Sequence, residues 1–185
     1  MLASIKRAQV WAAIKTIGKQ ISASVIVLGV FSGYCLGQNA TGVVFLVRHA
    51  EKASDAKDAL LSEAGHKRAR CLAHFLESAD IRKILVTRVL RTQQTAEPLA
   101  KISGLTPTVL DADDIDGFVK SLRTEPNANV LVVGHSDTLP KIIEQLGGGK
   151  IAPIEASEYD KLFVLDPAGK DKKQIVLTLR YCDCT

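Results

Sequence analysis

Two histidines in this 185-residue chain each follow an apolar run that is typical of a β-strand. The first run, Val43 to Val47, leads into Arg48 and His49, and the second, Val130 to Val133, leads through a glycine into His135. If both strands belong to one parallel sheet, their carboxyl ends share the edge where open α/β sheets bind ligands. We therefore expect two imidazoles and one guanidinium to meet at a single mouth.

A third segment, Ile84 to Ala96, is also typical of a strand followed by a helix. Its helix start brings Arg91 and unpaired backbone N–H groups to the same edge, which is a favourable place for an anion. The planar fork of arginine matches phosphate oxygens bidentately. Two arginines and two histidines without an excess of acidic residues therefore predict a phosphate site. Arg88 lies on the same helix face as Arg91 and has to be considered for the same role.

These segments resemble the hallmark motifs of the histidine phosphatase superfamily. Its Arg-His-Ala motif corresponds to residues 48–50, its Thr-x-x-x-Arg-x-x-x-Thr-Ala motif to residues 87–96, and its Gly-His-Ser motif to residues 134–136. The resemblance extends from about Val43 to the C-terminus and includes the Leu-Ser-x-x-Gly segment at 61–65. It implies an α/β fold of the phosphoglycerate mutase type, a three-layer α/β/α sandwich with a mostly parallel central sheet.

His49 is the candidate nucleophile. A neutral imidazole has one unprotonated nitrogen, and a phosphohistidine intermediate splits hydrolysis into two easier steps. The other ring nitrogen must then be held as a donor, and a backbone carbonyl is the expected acceptor. The resemblance implies that His135 contacts the phosphate and stabilises the transferring group, while the backbone N–H of Ser136 can donate to the same oxygens.

Arg48 and Arg91 are the candidate phosphate-binding arginines. Their charge would stabilise the three equatorial oxygens most strongly as the bond to phosphorus breaks. The resemblance assigns the helix arginine to Arg91, four residues before the Thr-Ala pair, and leaves Arg88 at the surface.

The general acid is not fixed by the sequence. Protonation of a leaving group needs a carboxyl with a raised pKa within hydrogen-bond reach. Asp137 is separated from the second histidine by Ser136, and Glu51 lies two residues after His49, so both stay candidates. The glutamate that many family members carry after the Thr-Ala helix has no matching motif here, which argues against a phosphoglycerate mutase.

The favoured function is a phosphatase that needs no metal or cofactor and acts on a small phosphorylated substrate or a phosphoprotein. One alternative is a phosphate-binding or sensing domain of the same fold with little or no turnover. Another is a cytoplasmic phosphohistidine-protein phosphatase, since phosphohistidine is a good leaving group. A metal site formed by His49, His135 and Asp137 is a further alternative, but arginines crowd the place that a cation would occupy.

The charge distribution argues against a nucleic-acid partner. The formal net charge is +4, and the four basic residues before position 41 account for all of it, because the first acidic residue is Glu51. The remainder of the chain is therefore balanced in charge, and the high isoelectric point says nothing about a polyanionic ligand.

The first forty residues are typical of a targeting segment. A basic stretch precedes the uncharged, mostly apolar run from Ile21 to Leu36, and small residues follow. We expect residues 1–40 to be a signal peptide, or a membrane anchor if they are not cleaved, and residues 41–185 to be the phosphatase domain. The protein would then be exported to the periplasm or secreted, or anchored in a membrane. An organelle transit peptide is a further alternative.

Strand-like and helix-like segments alternate after the leader, which is typical of an α/β domain. Cleavage would leave Cys71, Cys182 and Cys184, of which either of the last two could pair with Cys71, or all could be free thiols. We expect strands near 43–47, 83–87, 130–133, 161–165 and 174–180, helices near 62–77, 92–103, 114–123 and 138–146, and a hairpin turn at 166–173.

Overall fold

A computed structural model of the chain describes residues 42–166 and 174–182. The predicted leader and most of the predicted hairpin turn lie outside these residues. The described elements are, in chain order, β1 (Val44–Arg48), α1 (Glu63–Leu76), β2 (Ile81–Thr87), α2 (Leu90–Ser103), β3 (Thr108–Leu110), α3 (Ile115–Arg123), β4 (Asn129–Gly134), α4 (Thr138–Gln145), β5 (Lys161–Leu165) and β6 (Val176–Arg180).

The six strands form one sheet in the order β3-β2-β4-β1-β5-β6. Neighbours from β3 to β1 pair in parallel, whereas β5 runs antiparallel to both β1 and β6. The expected mostly parallel sheet is therefore corrected to a mixed one. The antiparallel part is the side of the sheet formed by the last two strands of the chain. There β6 pairs with β5, and β5 pairs with β1.

Helices cover both faces of the sheet, which gives the expected three-layer α/β/α arrangement. Alternate residues of each central strand point to opposite faces, as the two-residue period of a strand requires. Val44 and Leu46 pack with α3 and α4, whereas Val47 packs with α1 and α2. Both cores consist of buried, mostly aliphatic side chains, and they hold the strand ends in fixed positions.

The ends of α1 and α2 follow the signals in the sequence. The hydroxyl of Ser62 accepts a hydrogen bond from the Gly65 N–H and so caps the start of α1. Gly104 adopts a left-handed conformation with φ 65° and ends α2, a position that favours glycine. Position 65 requires glycine, because a side chain there would overlap the backbone carbonyl of Glu51.

Strand β3 is the described element that the sequence pattern missed. It has only three residues, all of them at least partly exposed, so neither alternation nor an apolar run marks it. Among the helices of residues 42–166 and 174–182, none has the length and apolar character that a membrane crossing requires.

Candidate active site

The register between β1 and β4 places the two histidines side by side. Arg48 pairs with Gly134 at the last step of this parallel ladder, and the His49 N–H continues it by donating to the Gly134 carbonyl at 2.9 Å. His49 and His135 therefore follow equivalent strand ends on adjacent strands, which lie about 4.8 Å apart in any sheet. Their ring centroids are 5.3 Å apart, with the ring planes inclined at 62°.

His49 is buried, with 4% of its surface exposed, and it is held in one tautomer. Its Nδ1 lies 2.8 Å from the carbonyl oxygen of Ala50. A carbonyl can only accept, so Nδ1 carries the proton and Nε2 keeps its lone pair. Burial lowers the pKa of His49 to about 3; the bond to Ala50 opposes this shift, and the charges of Arg91, His135 and Arg48 add to it.

Thr95 explains why a threonine stands four residues after Arg91. Its hydroxyl donates to the Arg91 carbonyl at 2.7 Å and accepts the Ala50 N–H at 2.9 Å. One side chain thus fixes the backbone after His49 to the first turns of α2. Ala96, the next residue of the motif, is fully buried. The Thr-Ala pair therefore positions the carbonyl of Ala50 that orients the His49 ring.

His135 is held by hydroxyl groups rather than by a carbonyl. Its Nε2 lies 3.0 Å from the hydroxyl oxygen of Thr87, which in turn lies 3.0 Å from that of Thr92. A hydroxyl can donate or accept, so this chain fits both the neutral ring and the protonated ring. Burial lowers the pKa of His135 to about 4; the charges of Arg91 and Arg48 also lower it, and Asp137 opposes them.

Arg48 is buried and oriented by the loop before β5. Its Nη1 donates to the carbonyls of Glu155 and Ala156 at 2.8 and 2.9 Å. The ring of Tyr159 lies under the guanidinium, with 4.4 Å between the guanidinium carbon and the ring centroid. The same ring lies 6.0 Å from the ring of His49. Tyr159 therefore contacts both members of the Arg-His pair.

Arg91 enters the site from the first turn of α2. Its Nη1 donates to the Lys57 carbonyl at 2.7 Å. The Nε atoms of Arg48 and Arg91 are both buried, and neither has a hydrogen-bond partner within the described residues. A buried donor without a partner costs about 1–3 kcal/mol. The charge of each guanidinium can in addition attract an anion.

One cavity of about 510 Å³ joins these groups, and we call it the mouth. The structure thus brings Arg48, His49, Arg91, His135, Ser136 and Asp137 together, as the strand-end argument expected. Loop 52–60 adds residues that sequence reasoning did not single out. The mouth is lined by Arg48, His49, Lys52, Asp55, Ala56, Lys57, Val89, Arg91, Ala112, His135, Ser136 and Asp137.

Glu51 does not line the mouth. Its carboxylate forms a two-pronged ion pair with the buried Arg68, with N–O distances of 2.7 to 3.0 Å. The prediction of Glu51 as a candidate general acid is therefore corrected. The reason is the turn of the chain after Ala50, which directs the Glu51 side chain toward α1 instead of the mouth.

Two carboxylates do line the mouth. Asp55 is bound by Lys52 at 2.7 Å, and this hydrogen bond lowers the pKa of Asp55, which makes it a poor proton donor. Asp137, at the start of α4, has no ion-pair partner within residues 42–166 and 174–182. Asp137 is therefore the better-placed candidate acid.

Arg88 lies at the surface, as the resemblance implied. It forms an exposed ion pair with Asp111 at 2.7 Å and does not line the mouth.

Within the described part of the chain, no group of three His, Cys, Asp or Glu side chains could hold a metal ion.

The contacts of Tyr159 were missed because they depend on tertiary structure. The loop before β5 lies 107 residues from Arg48 in sequence, and no local pattern connects the two. An aromatic residue two positions before a strand was the available signal, and it is equally typical of a residue that only packs.

Comparisons with known proteins indicate a family and a fold. A sequence model described as histidine phosphatase superfamily (branch 1) matches residues 44–116. This range contains the Arg-His-Ala motif and the whole Thr-to-Ala motif of α2. Over these residues the chain resembles the histidine phosphatase superfamily. This similarity supports phosphatase activity.

Similar proteins include the phosphohistidine phosphatase SixA of Escherichia coli K12, which is 26% identical over 140 residues, or 68% of this chain and 87% of the relative. A solved SixA structure complexed with tungstate has a TM-score of 0.57 and 22% identity, covering 75% of this chain and 95% of that one. A mycobacterial glucosyl-3-phosphoglycerate phosphatase has a TM-score of 0.58 and 15% identity, covering 76% and 98%. These structures show the shared fold.

Proposed function

We propose that the chain is a metal-independent phosphatase that acts on phosphomonoesters or phosphorylated side chains through a phosphohistidine at His49. The observation that carries the proposal is the bond from His49 Nδ1 to the Ala50 carbonyl, which leaves Nε2 with its lone pair. With a pKa lowered to about 3, the ring is neutral at pH 7. Around it lie two guanidinium groups and a second imidazole.

In the first step, Nε2 of His49 attacks phosphorus. An N–P bond forms while the bond from phosphorus to the leaving atom breaks, and its electron pair goes to the leaving atom. Asp137 supplies the proton that this atom takes up. The guanidinium groups of Arg48 and Arg91, which line the mouth, donate to the phosphoryl oxygens, and these bonds strengthen as charge spreads over the oxygens.

In the second step, a water molecule attacks the phosphohistidine. The new O–P bond replaces the N–P bond, whose electron pair returns to Nε2 of His49. The carboxylate of Asp137 accepts the proton that the water loses, so one residue serves as acid and then as base. Inorganic phosphate leaves, and His49 returns to its neutral form with Nδ1 still bound to Ala50.

A phosphorylated side chain of a protein is the favoured substrate class. The relative in Escherichia coli is by name a phosphohistidine phosphatase, and the solved SixA structure holds tungstate, an oxyanion like phosphate. An imidazole is a good leaving group and needs less help from an acid than an alkoxide does. This fits a mouth in which the candidate acid is a single exposed aspartate.

The proposed setting is outside the cytoplasm. The leader expected at residues 1–40 supports export or membrane anchoring, with residues 41–185 forming the phosphatase domain. The disulfide between Cys71 and Cys182 supports the same setting, because such bonds persist in oxidising compartments. Cell fractionation with antibody detection would test it, and recovery of the protein only from the cytosol would contradict it.

The function is tested by replacing His49 with alanine and measuring phosphate release from p-nitrophenyl phosphate in the presence of a chelator. We expect the wild type to turn over and His49→Ala to lose at least about 10⁴-fold in kcat. A rapid acid-free quench with a radiolabelled substrate should trap an alkali-stable, acid-labile label on the wild type alone. His74→Ala is the matched control, since His74 is an exposed histidine of α1.

Three outcomes would contradict this proposal. Activity that persists in His49→Ala would exclude His49 as nucleophile, and activity lost on adding chelator to the wild type would indicate a metal-dependent mechanism. Vanadate binding by calorimetry without turnover of either p-nitrophenyl phosphate or phosphohistidine would favour the phosphate-sensing alternative.

A further inference from the structure

A groove of about 480 Å³ runs along the solvent side of α2, and we call it the α2 groove. Its apolar lining comes from Leu90, Ala100, Leu105 and Pro107. Leu90 is 47% exposed although it is a large aliphatic residue. The groove therefore presents carbon-rich surface to solvent next to a polar mouth.

The α2 groove and the mouth both involve residues at the start of α2. Val89 and Arg91 line the mouth, and Leu90 between them lines the groove. From there the groove follows one face of α2 to Gly104, a length of about 20 Å at 1.5 Å per helical residue. A molecule whose phosphoryl group lies between the two arginines can reach the groove only if it extends well beyond the mouth.

The charges of the groove favour an apolar occupant. Glu97 and Lys101 line it, and they form an ion pair with each other at 2.7 Å, so they neutralise one another. The amide of Gln94 is also engaged, because its Oε1 accepts the Leu61 N–H at 2.9 Å. No net charge is left along the groove to attract a second phosphate or a carboxylate.

We propose that the α2 groove binds apolar side chains of a polypeptide substrate, next to the residue whose phosphoryl group enters the mouth. The inference rests on the proposed phosphatase function and names the substrate as a protein segment with apolar flanking residues. A small phosphomonoester fits within the mouth and leaves the groove uncovered. An extended segment spans the groove with about six residues, at 3.3 Å per residue.

The test uses two phosphohistidine peptides that differ only in their flanking residues. One has leucines three and five positions on either side of the phosphohistidine, and the other has serines there. With the wild type we expect kcat/KM to be about tenfold or more higher for the leucine peptide, the factor for covering one or two aliphatic side chains. Equal kcat/KM values for the two peptides would overturn the proposal.

Two matched variants locate the effect on the molecule. Leu90→Glu places a carboxylate in the groove, and Ile102→Glu makes the same kind of change on α2 at a residue that is 59% exposed and lies outside the groove. We expect the leucine-to-serine ratio to fall below about twofold in Leu90→Glu and to stay at the wild-type value in Ile102→Glu. A ratio that falls equally in both would overturn the assignment to this groove.

Hydrolysis of p-nitrophenyl phosphate is measured for all three proteins in parallel. This compound has no flanking residues, so it reports on the mouth alone. If the wild type hydrolyses neither p-nitrophenyl phosphate nor either peptide, the phosphatase function is refuted. An active wild type without a preference between the peptides would refute the groove proposal alone.

Discussion

Arg68 on one side and the pair Arg48 and Arg91 on the other differ in the partners that surround their guanidinium groups. Arg68, 8% exposed, is bound by the carboxylate of Glu51 and donates to the Cys182 carbonyl at 3.1 Å. Arg48, 9% exposed, and Arg91 have only carbonyl partners, and within residues 42–166 and 174–182 neither forms an ion pair. We call the first set the Arg68 cluster; the second belongs to the mouth.

The comparison separates a structural arginine from a functional one. Burying a cation costs several kcal/mol unless an anion accompanies it. The Arg68 cluster supplies that anion from its own chain. In the mouth, Asp55 is bound by Lys52, and no described carboxylate forms an ion pair with Arg48 or Arg91. The mouth also holds two neutral imidazoles, whose pKa values are lowered by burial and by the same arginines. We therefore expect a bound anion to stabilise the mouth.

The largest expected effect comes from exchanging the two kinds of arginine for alanine. Arg91→Ala should lower kcat/KM for p-nitrophenyl phosphate by about 10²–10³-fold, the loss typical of a donor to a charged transition state. Its free energy of unfolding should change little, because the acceptor that it leaves, the Lys57 carbonyl, belongs to an exposed residue that water can reach. Arg68→Ala should lower the free energy of unfolding by about 3–5 kcal/mol, because it leaves Glu51 without its partner.

Kinetics and urea unfolding of the same preparations measure both effects, and Arg88→Ala is the control for loss of an exposed arginine beside the mouth. The comparison fails if Arg68→Ala, measured where it is fully folded, loses as much kcat/KM as Arg91→Ala. It also fails if Arg91→Ala is the less stable of the two.

A smaller effect is expected from pH. The pKa values of His49 and His135 are lowered to about 3 and about 4, from an ordinary value of 6.5 in the unfolded chain. Between these values the unfolded state binds more protons, so the free energy of unfolding should fall as the pH falls from about 6.5 toward 3. Above pH 6.5 these two residues should contribute no pH dependence.

NMR titration of the ring protons measures the two pKa values directly, with resonances assigned from His49→Ala and His135→Ala. Arg91→Ala should raise both values, because the charge of Arg91 lowers them in the wild type. Burial is the larger cause in both rings, so they should stay below 6.5. A midpoint near 6.5 for either ring in the wild type would contradict the proposed neutral, buried pair.

The sequence was sufficient to predict which strand ends meet. An apolar run followed by a histidine occurs twice, and parallel strands bring such ends to one edge whatever the exact register. The acceptor for His49 Nδ1 was also predictable in kind, as a backbone carbonyl. The hairpin expected at 166–173 implied that β5 and β6 are antiparallel neighbours, as they are. The antiparallel pairing of β5 with β1 was not predictable, because no residue in either strand encodes the direction of its neighbour.

The error on Glu51 has a clear physical origin. Proximity in sequence to His49 placed it among the candidate acids, but a side chain two residues past a strand end can point to either side of the turn. Its direction is decided by Arg68, 17 residues later in the chain, through an ion pair that neither local pattern nor composition reveals. The contact of Tyr159 with Arg48 was hidden for the same reason.

The smallest effect on activity is expected from the disulfide between Cys71 and Cys182, which joins α1 to the segment after β6. It closes a loop with a sequence separation of 111 residues, so Cys71→Ser should lower the free energy of unfolding by about 2–5 kcal/mol. Neither cysteine lines the mouth, and kcat should stay within about twofold of the wild type. Urea unfolding and p-nitrophenyl phosphate kinetics measure both quantities. Treatment of the wild type with dithiothreitol is a second way to open the bond.

A tenfold loss of kcat in protein that is still folded would contradict this prediction. Since the Cys182 carbonyl accepts a hydrogen bond from Arg68, such a loss would mean that the Arg68 cluster positions the backbone at His49 and Ala50. Arg68 would then act on the mouth as well as on stability.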